Sequence, residues 1–427
     1  MQRHRPLVLL AAFVVAGVVA LAAYAGTARK NATVSISFME AMASGTQKPS
    51  LDLLTSRFER ENPNIKVTLI AEPNYGVLQQ KEQAAVAAGN PPTIGQAYEN
   101  WAAAFAQAKA IVPLDGYVHG KNGITAAQQS AIWKGVWKDL FLPDGKIWMW
   151  PFNKSDYVMY YNADKLQKAG LAVPKTWVQF ATVAKALTKN GNWAWSTDTG
   201  TLAAPADGTI VMLAMIHAFG GDWIKDGKPT LNTTAAIKAL GYLADLKKSG
   251  ALQIGTNYPG ETALGAQRSA FDLSTIAGYP YELAADGGKF SMKVAALPTG
   301  RNGEGNSLQG TNIVIFSKAS PAQRAAAWQY MKFLSEPRQT AYWAERTGYL
   351  PVTKAALPVM KRYIATHPYQ QVASQSLNVA RGNPPYAWWT TAVGQLATAM
   401  QAVLDNGGNP KSALDAAQAK AMAAAGG

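Results

Sequence analysis

Residues 49–118 decide the fold of this chain, and they read PSLDLLTSRFERENPNIKVTLIAEPNYGVLQQKEQAAVAAGNPPTIGQAYENWAAAFAQAKAIVPLDGYV. Apolar side chains recur at helical spacing in Ser50–Glu61, and an Asn-Pro-Asn turn signal then ends the helix. A β-rich run follows at Ile65–Ile70, then a helical pattern at Tyr75–Ala88 and a second strand pattern at Thr93–Tyr98. This alternation of helices and strands predicts a mostly parallel, doubly wound α/β sheet.

The alternation continues on both sides of this stretch. Further strands are predicted at Val34–Phe38, Tyr157–Tyr161, Ser291–Leu297 and Thr311–Phe316. Helices are predicted at Trp177–Thr188, Thr209–Phe219, Ala235–Lys248, Pro321–Leu334, Gln339–Arg346, Ala355–Thr366, Val393–Asp405 and Lys411–Ala425, and from Ala163. No internal repeat interrupts the pattern, so a repeat-built adhesive protein is not expected.

Length and composition indicate a globular protein with two domains. The chain has 427 residues, more than one hydrophobic core comfortably serves. Apolar residues make up 48% and charged residues 15% of the sequence, which is typical of a folded protein. The net charge of +14 is spread singly along the predicted helices and forms no dense basic run, so nucleic acid is not an expected partner.

The chain contains no cysteine. A disulfide framework, a zinc–thiolate site and a cysteine nucleophile are therefore excluded. The same absence excludes a lipoprotein that is anchored through an N-terminal cysteine.

Residues 1–25 have the features of a secretory signal peptide. Basic residues near the start precede the apolar stretch Leu7–Ala23, and Ala23-Tyr24-Ala25 has the small-residue pattern of a cleavage site. The alternative is an uncleaved anchor, because the stretch is close to the roughly 20 residues that a spanning helix needs. Either interpretation places the rest of the chain outside the cytoplasm, in the periplasm or at the cell surface.

Four blocks of sequence carry a family resemblance. They read NYGVLQQKEQAAVAAGNPPTIGQAYENWAAAFAQAKAIVPLD, PFNKSDYVMYYNADKLQKAGL, KTWVQFATVAKAL and RTGYLPVTKAAL. In these blocks the chain resembles the family 1 extracellular solute-binding proteins of carbohydrate ABC importers, and within them the subgroup for sugars and glycerol-3-phosphate. The resemblance covers nearly all of the chain after the signal-like segment, with the blocks in the same order.

The resemblance implies a type II periplasmic-binding-protein fold, in which two α/β lobes are joined by three hinge crossings and enclose a ligand cleft. The first lobe would comprise residues 33–151 and 310–362, and the second residues 152–309 and 363–427. The resemblance also implies a reversible sugar binder that acts as a monomer without a cofactor or metal and delivers its ligand to ABC permease transmembrane subunits. Rotation about short hinges is a physically sensible way to close such a cleft on a ligand.

Ten residues are predicted to contact the ligand. Glu99 follows a predicted parallel strand, and ligands of open α/β sheets lie at such strand ends. The family's matching acidic residue accepts hydrogen bonds from hydroxyl groups, so the resemblance implies the same role for Glu99. The others match family positions or offer aromatic faces and polar groups at the proposed crossings: Tyr75, Asn153, Ser155, Gly310, Tyr349, Tyr281, Trp388, Trp193 and Trp195, with one of the last two expected in the cleft.

The chain departs from the glycerol-3-phosphate pattern. That subgroup has a phosphate-binding arginine shortly before its last long helix, where this chain has Pro385–Trp389, and Arg381 lies a few residues earlier. Phosphate is best held by a bidentate guanidinium or a helix N-terminus. The departure therefore favours a neutral sugar, such as a disaccharide or short oligosaccharide, over glycerol-3-phosphate or a glycerophosphodiester.

An exported glycoside hydrolase is the alternative of another class. Zincin, α/β-hydrolase and phosphate-loop motifs are absent from the sequence. A glycosidase, however, needs only two suitably spaced carboxyl groups. Acidic candidates near the proposed cleft are Glu99, Asp156, Asp198 and Glu282.

Overall fold

The computed structural model describes residues 33–189, 191–201, 206–300 and 305–426. The predicted signal peptide or anchor at residues 1–25 lies outside the described residues. Within the described part of the chain, no helix combines the length and apolar character that crossing a membrane requires.

Two large sheets form the centres of two halves of the molecule. In the first half the strand order is β2–β1–β3–β13–β4, and the three strands that come first in the chain are parallel while β13 runs antiparallel to its neighbours. These strands are β1 Val34–Glu40, β2 Ile65–Ala71, β3 Ile94–Ala97, β4 Trp150–Pro151 and β13 Asn312–Ile315.

The sheet of the second half is mixed, and the prediction of mostly parallel strands is wrong there. Its order is β11–β5–β10–β6–β9, and β5 runs antiparallel to β10, β11 and the short strand β12. The reason is that β5 enters directly from the first half and not through a crossover helix. These strands are β5 Ser155–Asn162, β6 Trp195–Thr197, β9 Leu252–Ile254, β10 Phe271–Thr275, β11 Met292–Ala296 and β12 Leu308–Gln309; β7 Ile224–Lys225 and β8 Lys228–Pro229 form a separate hairpin.

Helices cover both sheets. In the first half they are α1 Gln47–Glu61, α2 Tyr75–Ala87, α3 Glu99–Gln107, α4 Asp115–Val118, α5 Ala126–Ala131, α6 Lys134–Lys138, and later α13 Pro321–Leu334, α14 Pro337–Thr347 and α15 Lys361–Thr366. The remaining helices are α7 Ala163–Lys168, α8 Trp177–Leu187, α9 Asp207–Ala218, α10 Thr234–Lys248, α11 Pro259–Gly265, α12 Tyr279–Asp286, α16 Tyr369–Ser376, α17 Trp389–Leu404 and α18 Pro410–Ala424.

Most predicted elements form within a few residues of their expected limits, because caps and apolar periodicity are local signals. The predicted helix Ala355–Thr366 is an exception. A 3₁₀ turn at Lys354–Ala356 is separated from α15 by Pro358, which cannot donate a backbone hydrogen bond to a helix interior.

Each half has its own apolar core. Phe38, Phe58 and Trp150 belong to the first core, and Trp177, Trp195 and Phe271 belong to the second. The chain leaves the first sheet at Pro151, enters the second at Ser155, and returns between Gln309 and Asn312. α15 still packs beside α14, whereas α16 packs on β5 and β11 of the second sheet, which favours a third crossing between α15 and α16. The lobe limits given above remain a prediction.

Candidate functional site

A cavity of about 460 Å³ lies between the two halves. The first half contributes the segments that follow β1 and β2, together with Tyr349. The second half contributes residues from β6, β10 and the first turns of α9, α11 and α12. Among the ten predicted ligand contacts, Tyr75, Tyr281 and Tyr349 line this cavity.

Tyr75 and Tyr349 form a hydroxyl pair on the wall of the first half. Tyr75 is the first residue of α2, and the side chain of Asn74 caps this helix by accepting from the Val77 backbone N–H. The two tyrosine hydroxyl oxygens are 3.0 Å apart. Because residues 75 and 349 come from distant parts of the chain, this pair holds the segment that follows α14 against the start of α2.

Asn153 lies beneath the tyrosine pair and does not line the cavity. Its side-chain N–H donates to the Tyr75 hydroxyl at 2.7 Å, and its Oδ1 accepts from the Thr311 hydroxyl at 2.7 Å. The same oxygen accepts from Gln96 at 3.0 Å, and Gln96 in turn accepts from the backbone N–H of Ala41, a cavity residue, at 2.6 Å. Asn153 therefore joins two hinge segments to the wall of the cavity.

The wall of the second half is acidic. Five carboxyl groups line it, and we call them the acidic wall: Asp198, Asp207, Glu261, Asp272 and Glu282. Asp207, Glu261 and Glu282 lie in the first turns of α9, α11 and α12, where the helix dipole favours negative charge. Among the described residues, no lysine, arginine or histidine lines the cavity.

Hydroxyl donors and neighbouring carboxyl groups determine the charge of the acidic wall. Asp207 accepts from the Tyr157 hydroxyl at 2.5 Å and from the Ser274 hydroxyl at 2.9 Å, while burial raises its pKa. The side chains of Asp272 and Glu282 lie in hydrogen-bonding contact with each other. Burial raises the pKa of Asp272 to about 7 and that of Glu282 to about 11, so the two groups share a proton at neutral pH.

We expect Asp272 to make the protein less stable as the pH rises from 5 to 8. Its pKa is raised in the folded protein from 3.8 to about 7, so its stabilising protonated state is lost as the pH passes through 7. The groups that face it are Asp207, Glu261 and Glu282. Compared with Asp272→Asn, the wild type should lose on the order of 3 kcal/mol over this range, measured as melting temperature at each pH. A constant difference between the two proteins from pH 5 to 8 would contradict this expectation.

Two tyrosines of the second half lie at the mouth of the cavity. The Tyr281 hydroxyl is 3.3 Å from the Ser44 hydroxyl of the first half, so it bridges the cleft. Tyr258 is 72% exposed and, like Asn257 before it, has a left-handed backbone with φ near 57°. Strained non-glycine backbone of this kind is typical of ligand-binding segments.

Glu99 lies away from the cavity lining, in a buried cluster between the halves. One of its oxygens is 3.4 Å from the Lys154 ammonium, which also contacts Asp139 at 2.5 Å. Asn312 donates to both carboxylates, at 3.2 Å and 2.9 Å, and Asn383 donates to Glu99 at 3.2 Å. Burial and the charge of Asp139 raise the pKa of Glu99. Its role as a ligand contact remains a prediction.

Ser155 and Gly310, which lie at the crossings between the two sheets, are also outside the cavity lining. The Ser155 hydroxyl accepts from Thr275, which does line the cavity, at 2.9 Å. Gly310 has φ +80°, and a Cβ atom there would lie 1.8 Å from the Asn153 carbonyl oxygen. Ser155 therefore contacts a residue of the cavity wall, and Gly310 packs closely against the backbone of the first crossing.

The structure places the predicted tryptophans away from the cavity lining. Trp195 is fully buried in the second core next to Phe180 and Phe271, because its side chain points to the inner face of β6. Trp193 donates to the Ser196 hydroxyl at 2.5 Å and is covered by Arg268. Trp388 stacks on Tyr386 immediately before α17. Their contact with ligand remains a prediction.

The sequence interpretation did not select most of the acidic wall. From sequence alone, Asp198 and Glu282 are acidic candidates only, and Asp207, Glu261 and Asp272 are not candidates. A usable signal existed at Asp272, since a carboxyl group within the apolar strand pattern AFDLST must be buried or face a site. The turn signal in NYPG at residues 257–260 marks the strained segment beside Tyr258.

No group of three or more acidic or histidine side chains among the described residues could hold a metal ion. The arrangement instead offers tyrosine rings, hydroxyl groups and carboxyl oxygens around a cavity of ligand size. Such a cleft is suited to binding a small polyhydroxylated molecule between the two halves.

Comparison with known proteins gives the family. Residues 54–368 match the sequence profile described as bacterial extracellular solute-binding protein. The chain belongs to this family. The sn-glycerol-3-phosphate-binding periplasmic protein UgpB of Escherichia coli is 26% identical over 373 residues, which covers 82% of each chain.

Two solved structures share the fold of this solute-binding protein over 92% of its length. UgpB from Mycobacterium tuberculosis, in complex with glycerophosphocholine, superposes with a TM-score of 0.80 at 21% identity and is covered over 98% of its length. The cyclic alpha-maltosyl-1,6-maltose binding protein from Arthrobacter globiformis gives a TM-score of 0.78 at 20% identity with 99% coverage. The predicted two-lobed, type II fold is therefore confirmed.

Proposed function

We propose that this protein is the substrate-binding subunit of an ABC importer that binds a di- or oligosaccharide reversibly. It hands the sugar unaltered to the transmembrane subunits of the permease. In this proposal it works outside the cytoplasm as a monomer, with no cofactor and no nucleic-acid partner. The N-terminal segment either is removed or tethers the protein to the membrane.

The observation that carries the proposal is the composition of the cavity between the halves. Tyrosine rings from both halves can lie against the C–H faces of sugar rings, and the surrounding hydroxyl and carboxyl oxygens can take their hydroxyl groups. The cavity volume of about 460 Å³ lies in the usual range for small-ligand sites. Relatives and structural neighbours bind sugars or glycerophosphate compounds, as their names state.

Glycerol-3-phosphate or a glycerophosphodiester is the second candidate, because UgpB proteins are among the relatives. A phosphate group needs cationic or backbone N–H donors. The nearest sequence candidate, Arg381, is paired with Asp222 at 2.6 Å and is not part of the cavity lining. Five carboxyl groups around the ligand would moreover repel a phosphate, which favours a sugar.

The geometry of the Asp272–Glu282 pair does not favour a glycoside hydrolase. Asp272 and Glu282 are close enough to share a proton. Hydrolysis of a glycosidic bond with retention needs two carboxyl groups about 5–5.5 Å apart, and inversion needs a larger separation.

Calorimetry with mono-, di- and trisaccharides, and with glycerol-3-phosphate and glycerophosphocholine, tests the proposal. A measurable heat of binding for a sugar, with the sugar recovered unchanged after overnight incubation, is the expected result. Release of monosaccharide would show a hydrolase. Binding of only the phosphate compounds would replace the sugar by the second candidate.

Tyr281→Ala should weaken sugar binding by about 1 kcal/mol, because one aromatic face and one bridging hydroxyl are removed. Tyr281 is 39% exposed at the cleft mouth, so the change should leave the melting temperature nearly unaltered. Tyr342→Ala is the matched control, since Tyr342 lies between Arg57 and Arg346 and outside the cavity lining. Equal affinities of the two variants in calorimetry would remove Tyr281 from the site.

A further inference from the structure

Even with one proton shared by Asp272 and Glu282, the acidic wall has more negative charge than a neutral sugar can compensate. Its five carboxyl groups face one cavity, and no basic side chain lines that cavity within the part of the chain that the structure describes. The charges that act most strongly on Asp207, Glu261, Asp272 and Glu282 are those of other carboxyl groups of the same wall. Closing the cleft over a neutral ligand would remove water from these groups without giving them a counter-charge.

Two polar atoms of this part of the cavity also lack a partner outside the Asp272–Glu282 pair. Glu282 is 3% exposed, and apart from the proton that it shares with Asp272 its Oε2 atom accepts from no N–H or O–H group. Thr197 is likewise 3% exposed, and its hydroxyl has no partner. Both residues line the cavity beside Asp207 and Asp272. Buried polar atoms in folded proteins are nearly always satisfied, so these two atoms indicate groups that a ligand supplies.

The partner that the acidic wall lacks is a hydrogen-bond donor that carries positive charge. The described residues contain no group of three or more acidic or histidine side chains that could hold a metal ion, whereas an organic cation does not need such a group. An ammonium group provides three N–H donors and no acceptor, which matches a wall made of carboxyl oxygens. Tyr258 and Tyr281 at the mouth add aromatic faces, which attract cations.

We propose that the sugar bound in this cleft carries a protonated amine, and that its ammonium group lies between Asp207, Asp272 and Glu282. This inference rests on the proposed function, since it specifies the class of sugar that the same cleft takes. Asp207 can still accept from the ammonium while Tyr157 and Ser274 donate to it, because a carboxylate has about four acceptor positions. The Asp272–Glu282 pair contributes its unpartnered oxygen.

Calorimetry with matched sugars tests this inference. The probes are cellobiose, its diamino counterpart (the β-1,4-linked glucosamine dimer) and N,N′-diacetylchitobiose, with the pairs glucose and glucosamine and galactose and galactosamine. The amine should bind about tenfold or more tightly than its neutral counterpart at pH 7, since charge-assisted hydrogen bonds are the stronger ones. The preference should decrease in high salt.

Asp272→Asn provides the decisive variant, because it removes one ionisable group from the wall while keeping the shape of the side chain. It should reduce the affinity for the amine about tenfold more than the affinity for the neutral sugar, because the amide keeps an oxygen acceptor but carries no charge. Asp245→Asn is the matched control, since Asp245 is exposed on α10 and does not line the cavity.

The outcomes separate the two proposals. Neutral sugars that bind as tightly as their amines, or an amine preference that Asp272→Asn leaves unchanged, would overturn the inference and leave the sugar-binding function standing. Failure of every sugar, neutral or aminated, to bind would overturn both.

Discussion

Replacing Lys154 with methionine should lower the free energy of unfolding by about 3–5 kcal/mol, as expected when one partner of a buried ion pair is removed. Lys154 is completely buried. Its ammonium group contacts Asp139 at 2.5 Å, the Gly310 carbonyl at 3.2 Å and Glu99 at 3.4 Å. Methionine fills a similar volume but leaves two buried carboxyl groups without their cation.

Lys48→Met is the matched control for this prediction. Lys48 also pairs with an aspartate at 2.5 Å, but the side chains of Lys48 and Asp52 are 42% and 45% exposed. Its loss should therefore cost less than about 1 kcal/mol. Urea denaturation followed by tryptophan fluorescence measures both changes. Equal midpoints for the two variants would show that the buried cluster contributes no more than a surface pair.

Gly310→Ala should destabilise the protein by about 3 kcal/mol or more, and it should also weaken ligand binding. The backbone of Gly310 has φ +80°, which alone costs an alanine about 1–2 kcal/mol. Its Cβ would in addition lie 1.8 Å from the carbonyl oxygen of Asn153, which cannot yield without moving the first crossing. Because Asn153 holds Tyr75, this movement reaches the cavity wall.

Gly89→Ala separates the cost of the left-handed backbone from the cost of the close approach to Asn153. Gly89 has a similar φ of +73°, but a Cβ there would meet no atom within 4 Å. The substitution Gly89→Ala should lower the free energy of unfolding by only the backbone penalty of about 1–2 kcal/mol, and it should leave sugar affinity unchanged. Denaturation midpoints and calorimetric affinities of both variants test this comparison. If Gly310→Ala matched Gly89→Ala in both measurements, the close approach to Asn153 would have no energetic importance.

Local signals were sufficient to predict most of the fold. The helix at Trp177–Leu187, for example, is capped by the Thr176 side chain and buries Trp177, Phe180 and Val183 at helical spacing. Two of the tyrosines that line the cavity, Tyr75 and Tyr349, were predicted from motifs, because NY before a helix and RTGYLP resemble family motifs. These features depend on residues that are neighbours in sequence.

The rest of the site depends on contacts that local sequence does not encode. Glu99 was correctly expected at a strand end, but its burial follows from Lys154 and Asp139, which come from other segments. The acidic wall is likewise assembled from strands and helix first turns between residues 198 and 282. Trp195 shows the same limit, because a three-residue strand has too few alternations to tell which face is buried.

The hydrogen bonds that run from Ala41 through Gln96 and Asn153 to Tyr75 and Tyr349 give the protein a mechanical linkage. A change in the backbone of residues 152–154 should therefore move the rings of Tyr75 and Tyr349, which line the cavity. We therefore expect ligand affinity to depend on the angle between the two halves. A substitution in residues 152–154, which lie outside the cavity lining, should consequently alter the rate at which the ligand dissociates.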